Sequence, residues 1–340
     1  MKHSFKTKHP LLRAYAAGGC LLILATAVGL LLGATGLDPG ELLEALLRGD
    51  RNHPTVRILL YVRLPRVWGA LICGGALAVA GSVIQGVLQN RLASPGIVGV
   101  NAGAGLAVTV CSALGILGGW RLSLFAFLGG FGAVMLVSLG AQRWRASKGT
   151  VILMGVALNS LLGALSDTVK TLFPDVSILT NDFKVGDFSS VTYGSLLPAT
   201  VVVLVSLVIL LTLSTTLDVL SLGEETARGL GLRTGVARTG LLLLAALLAG
   251  AAVSVCGLLS FVGLLVPHAV RRGIAGAAGQ SRHLIPLCAL FGSGFVTLCD
   301  TLARVIFAPY EIPVGIIMAF LGAPFFLFIL IKGKGGEHHA

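Results

Sequence analysis

Four polar residues, Asn159, Ser160, Asp167 and Lys170, interrupt an otherwise apolar stretch at residues 150–171. A charged side chain at the centre of a bilayer costs about 2.5–3.5 kcal/mol on insertion scales, so such groups usually face a cavity or a partner. Asp167 and Lys170 are three residues apart and would share a helix face, where they can pair. Two interpretations stay open: the four residues line a path for a polar or charged ligand, or Asp167 and Lys170 form a salt bridge near the membrane surface.

His268 and Asp300 are the candidates for a metal site or a proton relay. The sequence contains no HExxH motif and no second ligand four residues from His268, and Pro267 beside it favours a structural role. The six cysteines lie in or beside apolar stretches without a CxxC pair, which favours buried apolar side chains over a disulfide framework or a zinc site. We expect no metal and no cofactor on this chain.

Catalytic motifs are also missing from the sequence. It contains no GxxxxGK[ST], so the chain cannot cradle a nucleotide through a P-loop. It contains no GxSxG nucleophile elbow, which disfavours an intramembrane enzyme. We therefore expect no covalent chemistry from this chain, and if ATP drives its function, another subunit hydrolyses the ATP.

Residues 221–231 read Ser-Leu-Gly-Glu-Glu-Thr-Ala-Arg-Gly-Leu-Gly. Ser221 and Glu224 have the spacing of a capping box, which predicts that a helix starts there. Glu224 and Arg228 form an i,i+4 pair in the favourable order, and Gly229 and Gly231 can end the helix. The pattern predicts a short helix between two apolar stretches, which is either a plain surface helix or one that docks on a partner and transmits motion.

Arg63 and Arg66 stand at the start of another long apolar stretch, and Pro65 between them fits the first turn of a helix. Side chains of this kind can extend to the headgroup level of a membrane while their stems stay in lipid. Arg63 and Arg66 are therefore explained equally well by such snorkelling and by contact with a partner protein.

The elements that carry these residues are membrane helices. The chain has 340 residues, of which 55% are hydrophobic and 11% charged, whereas a soluble protein has about 25% charged residues. The 46 glycines lie largely inside the apolar stretches, as in closely packed membrane helices. The composition predicts an all-α polytopic membrane protein.

Ten apolar stretches, most of about 18–22 residues, are long enough to cross a hydrocarbon core of about 30 Å. The first is too long for a signal-peptide h-region and has no clear cleavage site, so we interpret it as a membrane helix. A polar insert at residues 33–59 predicts a short surface helix. The stretches are residues 15–33, 60–83, 92–112, 122–141, 150–171, 193–213, 238–257, 262–277, 284–306 and 312–331.

The distribution of basic residues orients these spans. An even number of spans puts both termini on one side, and with both in the cytoplasm, 16 of the 25 lysines and arginines face the cytoplasm, as the positive-inside rule favours. This explains the net charge of +11 better than nucleic-acid binding does. The sixteen are Lys2, Lys6, Lys8, Arg13, Arg91, Arg143, Arg145, Lys148, Arg228, Arg233, Arg238, Arg271, Arg272, Arg282, Lys332 and Lys334.

Four motifs along the chain resemble those of the iron-siderophore, haem and cobalamin permeases, the FecCD family. The resemblance covers nearly the whole chain. The motifs are Arg63-Leu-Pro-Arg66 with Asn90-Arg-Leu-Ala-Ser-Pro-Gly-Ile-Val-Gly-Val-Asn101, then residues 222–231, then residues 257–268, and then Asp300-Thr-Leu-Ala-Arg304 with Glu311-Ile-Pro-Val-Gly.

The resemblance implies a type II ABC importer permease fold with a single transmembrane domain over residues 1–340. Residues 15–331 would be embedded in the membrane, and residues 218–232 would form a cytoplasmic coupling helix. The chain would translocate an iron chelate, haem or a cobalamin-like ligand across the cytoplasmic membrane by alternating access. Its implied partners are a second identical or closely related permease, two ATPase subunits that carry ATP and magnesium, and an extracytoplasmic binding protein. Nucleic acid is not among them.

The resemblance also implies roles for single residues. Arg63, Arg66 and Arg304 would meet acidic residues of the binding protein. Asn90 and Leu92 would belong to the inner gate, where Arg91 departs from the proline usual in the family, and residues 150–171 would line the path at the dimer interface. The residues implied in ATPase coupling are Ser221, Leu222, Gly223, Glu224, Glu225, Ala227, Arg228, Gly229 and Gly231.

The alternative is a secondary transporter driven by an ion gradient. Such a protein would need discontinuous helices in two inverted halves, and the sequence shows no such halves. Dependence of transport on ATP hydrolysis would separate the two classes.

Overall fold

The computed structural model describes residues 8–34, 36, 38–144, 146–274 and 280–334. These residues form helices connected by turns and loops, without a β-strand among them, in agreement with the predicted all-α class. The helices are α1 (Lys8–Leu31), α2 (Pro39–Leu47), α3 (Pro54–Ile58), α4 (Leu64–Leu88), α5 (Val100–Ala113), α6 (Gly119–Arg143), α7 (Lys148–Leu172), α8 (Asp175–Leu179), α9 (Asn181–Val185), α10 (Tyr193–Thr212), α11 (Ser214–Ser221), α12 (Glu224–Gly229), α13 (Thr234–Cys256), α14 (Val262–Gly273), α15 (Ser281–Val305) and α16 (Val314–Lys334).

Each of the ten predicted stretches coincides with a helix. Among the described residues, seven helices are long and apolar enough to cross a membrane, and Val100–Ala113 and Val314–Phe328 are shorter apolar helices. The predicted surface helix in the polar insert is α2. Of the basic residues used for orientation, Lys2, Lys6 and Arg145 lie outside the described residues.

Several predicted boundaries were wrong, and proline explains two of them. The stretch predicted at residues 60–83 begins earlier, because Pro54 occupies the first turn of α3 and a π-helical turn (Leu59–Arg63) joins α3 to α4 in one helix, Pro54–Leu88. The stretch predicted at 92–112 begins later, at Val100. Pro95 disfavours a helical conformation of the residue before it, and Gly99, with φ of 114°, is the N-cap of α5. The stretch predicted at 262–277 ends as α14 at Gly273, and residues 275–279 lie outside the described residues.

Helix α4 forms the centre of the bundle. It packs against α13, α14 and α15, and most of its residues are buried. Glycine allows the closest crossings: a Cβ on Gly81 would overlap the carbonyl of Gly263 in α14, and one on Gly74 would overlap the carbonyl of Gly292 in α15. Backbones this close leave no room for larger side chains, so α4 and its neighbours form the rigid part of the fold.

Helix α7 lies at the side of the bundle and is much less buried than α4. It packs against α5 and α6 on one face. Its other face exposes large apolar side chains, among them Leu153 at 68% and Leu161 at 58%. The helix that carries the polar residues of stretch 150–171 is therefore a peripheral one.

The chain between α13 and α14 is not helical. Gly257 and Phe261 have positive φ values of 70° and 67°. Main-chain hydrogen bonds from Leu258 to Phe183 (2.9 Å) and from Asp187 to Cys256 (2.9 Å) tie this break to the end of α9. The break covers residues 257–261, between the predicted spans 238–257 and 262–277. These two bonds to protein replace helical hydrogen bonds that the break removes.

Candidate functional site

Arg66, Asp300 and Arg304 form a buried ion cluster where the start of α4 meets the end of α15. The Nε of Arg66 lies 3.0 and 3.2 Å from the two carboxylate oxygens of Asp300, and the Nε of Arg304 lies 3.1 Å from its Oδ2. Asp300 is wholly buried, and both arginines are less than 5% exposed. Glu311 also accepts from Arg66, and Asp187 Oδ1 lies 3.6 Å from its Nη2. These buried guanidinium groups therefore have their counter-charges within the chain.

Arg63 and Arg304 bind the carbonyl end of α1. Arg63 Nη1 donates to the carbonyl of Leu30 at 2.8 Å and also to that of Leu31, and Arg304 Nη2 donates to the carbonyl of Gly29 at 3.1 Å. The last carbonyls of a helix lack intrahelical donors and carry the negative end of the helix dipole. The two arginines thus fasten α1 to α4 and α15.

The structure brings the three predicted docking arginines together, but it buries them. Snorkelling to the headgroup level is wrong for Arg63 and Arg66, which are 2% and 4% exposed. Their role in docking the binding protein stays a prediction. Because the arginines are buried, docking requires either that the cluster opens or that the binding protein contacts it at Glu311, whose side chain is 36% exposed. The i,i+4 spacing of Asp300 and Arg304 is the pattern in the sequence that could have indicated this cluster.

The predicted coupling segment forms two helices rather than one. Ser221 ends α11 and donates its hydroxyl to the carbonyl of Asp218, and Gly223, with φ of 116°, is the N-cap of α12. The capping-box prediction for Ser221 and Glu224 was therefore wrong, because Gly223 takes a conformation that lets α12 start afresh. The predicted pair is confirmed: Arg228 Nη2 lies 2.7 Å from Glu224 Oε1.

The end of α12 is a Schellman motif. Gly231, with φ of 83°, donates to the carbonyl of Arg228 at 2.9 Å, and Leu232 donates to that of Ala227 at 3.0 Å. The predicted stop at Gly229 and Gly231 is confirmed. Ala227 is fully buried and holds α12 against the bundle.

Exposed apolar side chains flank α12. Leu222 and Leu230 are each 64% exposed, and Val236 is 59% exposed at the start of α13. Glu225 is exposed on α12 itself. Apolar groups exposed together beside a polar helix are typical of interaction surfaces.

Two side chains that the sequence did not indicate as functional connect α11 to the core. Gln89, at the end of α4, donates its Nε2 to the carbonyls of Leu220 (2.9 Å) and Ser221 (3.0 Å). Asp218 Oδ1 accepts from the amide (2.8 Å) and the hydroxyl (2.6 Å) of Ser281 at the start of α15. Movement of α11 and α12 would therefore act directly on α4 and α15.

Asn159 of α7 holds the loop predicted as the inner gate. Its Nδ2 donates to the carbonyls of Gly96 at 2.9 Å and Ile97 at 3.3 Å. In the same loop Asn90 Oδ1 accepts from the amide of Leu92 at 2.9 Å, and the Leu92 side chain is 44% exposed. The structure thus joins Asn159 to the gate loop, a contact that the sequence did not indicate.

The polar residues of α7 divide between two faces. Asn159 and Lys170 are half-buried, whereas Ser160 and Asp167 lie on the exposed face, because residues seven or eleven apart return to nearly the same side of a helix. The predicted contact between Asp167 and Lys170 is confirmed at 3.6 Å, with the Asp167 side chain 76% exposed. Lys170 also interacts electrostatically with Lys184 of α9.

Comparison with known proteins agrees with this architecture. The FecCD transport family matches residues 21–332. The iron-uptake system permease protein FeuC of Bacillus subtilis is 35% identical, and the match covers 96% of this chain and 99% of FeuC. The hemin transport system permease protein HmuU of Yersinia pestis is 34% identical, with 93% and 95% covered. The ferric enterobactin transport system permease protein FepD of Escherichia coli is 37% identical, with 95% and 97% covered.

A solved structure shares the fold. It is described as a metal-chelate type ABC transporter in an inward-facing conformation, and it superposes with a TM-score of 0.79 at 29% identity. The match covers 95% of this chain and 99% of that one. The type II importer permease fold expected from the motifs is therefore confirmed.

Proposed function

The chain belongs to the FecCD transport family and is the permease subunit of an ABC importer, and we propose that its cargo is an iron chelate or haem. The ATPase is a separate subunit, and the chain is a multi-pass protein of the plasma membrane. The cargo proposal rests on relatives named for iron uptake, hemin and ferric enterobactin. A cobalamin-like ligand is the second candidate.

The proposed mechanism rests on the surface formed by α12 and its exposed apolar neighbours, which we call the coupling surface. Helix α12 is flanked by the exposed Leu222 and Leu230, and its neighbour α11 is bonded to α4 and α15. We assign this surface to the ATPase subunit. Closure of the ATPase dimer would push α12, and Gln89 and Asp218 would pass the movement to the core, so that the inner gate opens and closes by alternating access.

The orientation follows from this assignment. The end of the bundle that carries α12 would face the cytoplasm, together with the start of α1 and the end of α16. The end that carries Arg66 and Asp300 would face outward and receive the binding protein. Acidic lobes on that protein would pair with these arginines when the cluster opens and releases them from Asp300 and Glu311, so the affinity should fall as ionic strength rises. An affinity insensitive to salt would contradict this docking mode.

The exposed face of α7 is assigned to the contact with a second permease subunit. Its leucines would be covered there, and its polar residues, Ser160 and Asp167, would line the path on the symmetry axis. The positive charge of the half-buried Lys170 would make the path prefer a charged chelate. Asp167→Ala and Lys170→Ala should then change the transport rate or the ligand preference. Unchanged uptake of charged and neutral chelates would exclude both residues from the path.

The cargo is tested through the binding protein that accompanies this permease. Its intrinsic fluorescence is titrated with ferric hydroxamates, ferric catecholates, ferric citrate, haem and cobalamin. We expect the tightest binding for one iron chelate or haem. Preferential binding of cobalamin would overturn the cargo proposal and leave the importer assignment intact.

A further inference from the structure

A basic pocket opens beside α12, at the end of the bundle assigned above to the cytoplasm. It has a volume of about 430 Å³, within the range of small-ligand sites. Arginines dominate its charge, with a single carboxylate among the lining residues. The lining residues that matter below are Gln142, Glu224, Arg228, Arg233, Thr234 and Arg238.

Arg238 is the unusual member of this pocket. Its side chain is only 7% exposed, and its Nη1 atom has no hydrogen-bond partner among the described residues. It also forms no ion pair within that part of the chain. A buried guanidinium without a counter-charge costs several kcal/mol, and buried charges are normally paired. The contrast with Arg66, which three carboxylates surround, indicates that a group from outside the chain pairs with Arg238.

The neighbouring groups add to the positive potential. The pocket contains the N-terminal residues of α13, a helix of 23 residues whose N-cap, Arg233, makes no side-chain cap hydrogen bond. The first amide groups of a helix lack intrahelical partners and attract anions. Lys148, at the start of α7, interacts electrostatically with Glu224 and with Arg238.

The single carboxylate in the pocket is already engaged. Glu224 Oε1 accepts from Arg228 Nη2 at 2.7 Å and from the hydroxyl of Thr234 at 3.4 Å. It neutralises Arg228 and leaves Arg233 and Arg238 without a carboxylate partner among the described residues. The remaining charge and the free amide groups fit a phosphate, which accepts several hydrogen bonds at once from arginine and from main-chain amides.

We propose that this pocket, formed by Arg233, Arg238 and the first turn of α13, is a regulatory binding site for a phosphate group, with the headgroup of an anionic phospholipid as its source. Trp144, the C-cap of α6, stands two residues after the lining residue Gln142 and is 74% exposed. Tryptophan is enriched at the membrane–water interface, which favours a lipid as the source of the phosphate. Basic pockets between membrane helices on the cytoplasmic side suit such headgroups. A lipid bound there would hold α13 and α7 beside α12 and bias the coupling helix.

The test uses the assembled importer, permease with ATPase subunits, in nanodiscs of phosphatidylcholine with or without phosphatidylglycerol. Native mass spectrometry counts the phosphatidylglycerol that each complex retains through detergent exchange. We expect retention by the wild type and about a tenfold weaker retention in Arg238→Gln and Arg233→Gln. Arg282→Gln, which removes an exposed arginine at the start of α15, is the matched control and should retain lipid as the wild type does.

The Arg233 variant keeps the test decisive if Arg238→Gln fails to fold, because Arg233 is exposed. A second arm measures binding of inorganic phosphate. Phosphate binding that both substitutions abolish, without lipid retention, supports the anion site and assigns it to a free phosphate. Equal lipid retention in all variants with no phosphate binding overturns the proposal. A disulfide cross-link from Arg233→Cys to a cysteine placed at an acidic position of the ATPase overturns it as well. Iron uptake is measured separately. A negative result for lipid and phosphate binding would therefore leave the proposed transport function intact.

Discussion

The side-chain amide of Gln89 donates a 2.9 Å hydrogen bond to the main-chain carbonyl of Leu220, and this contact joins the central helix to the segment that presents α12. A second bond from the same nitrogen reaches Ser221. Force on the coupling surface therefore reaches α4 through this side chain, in addition to the packing of α11 on α4.

Gln89→Leu keeps the side-chain volume but removes both donors. Each net hydrogen bond contributes about 0.5–1.5 kcal/mol, so the link between α11 and α4 should loosen. We expect ATP hydrolysis to continue while the amount of ligand imported per ATP falls. Proteoliposomes that report both rates provide the measurement. Gln280→Ala, which removes an exposed glutamine without a described cap bond, is the control. An unchanged ratio in Gln89→Leu would rule out this route of coupling.

Leu222→Asp and Leu230→Asp place a charge on the apolar groups assigned to the ATPase. Burying an unpaired carboxylate in an interface opposes association, and tenfold weaker binding corresponds to about 1.4 kcal/mol. Both variants should recover much less ATPase subunit in co-purification. Leu114→Asp tests for a general effect, because Leu114 is 73% exposed but follows α5, away from α12. Wild-type recovery with Leu222→Asp and Leu230→Asp would refute the assigned surface.

Asp300→Asn removes the negative charge that Arg66 and Arg304 share. Breaking a buried ion pair on one side costs about 3–5 kcal/mol, so the thermal unfolding temperature in detergent should drop strongly. Glu44→Gln removes the exposed partner of Arg48, and exposed pairs of this kind contribute only about 0.3–0.5 kcal/mol. The two variants should therefore separate clearly in a thermal melt. Similar melting temperatures would show that the cluster is not the fastening point of α1, α4 and α15.

Asn159→Leu removes the two bonds that hold the gate loop to α7. We expect the loop to become more mobile, so that a cysteine introduced by Leu92→Cys reacts faster with a water-soluble maleimide. Ser160→Ala in the same background is the control, since the Ser160 hydroxyl bonds only within its own helix, to Val156. Equal labelling rates in the two backgrounds would mean that Asn159 does not hold the loop.

The sequence predicted the helices well, because membrane spans depend on local properties: length, hydropathy and the positions of proline and glycine. Apolar stretches located ten of the sixteen described α-helices, and i,i+4 spacing located the pair of Glu224 and Arg228. Both are visible within a few residues of chain.

The contacts that the sequence did not predict join distant segments. Asp300 meets Arg66 across 234 positions, and Gln89 meets Leu220 across 131. Burial of the arginines could not be inferred from their own neighbours, since a charged group at a helix end is equally consistent with a surface position. The capping-box prediction failed for a related reason: Gly223 offered the chain a second helix start between Ser221 and Glu224.

Import assayed in a reconstituted system tests whether this permease is driven by ATP. The permease is reconstituted with its ATPase subunits in proteoliposomes, and its loaded binding protein is added outside with a radiolabelled ferric chelate or haem. We predict accumulation of the label that requires ATP hydrolysis inside the permease-bound ATPase, persists when the proton gradient is dissipated, and disappears with a hydrolysis-deficient ATPase. Accumulation that follows an imposed ion gradient and ignores ATP would contradict the account.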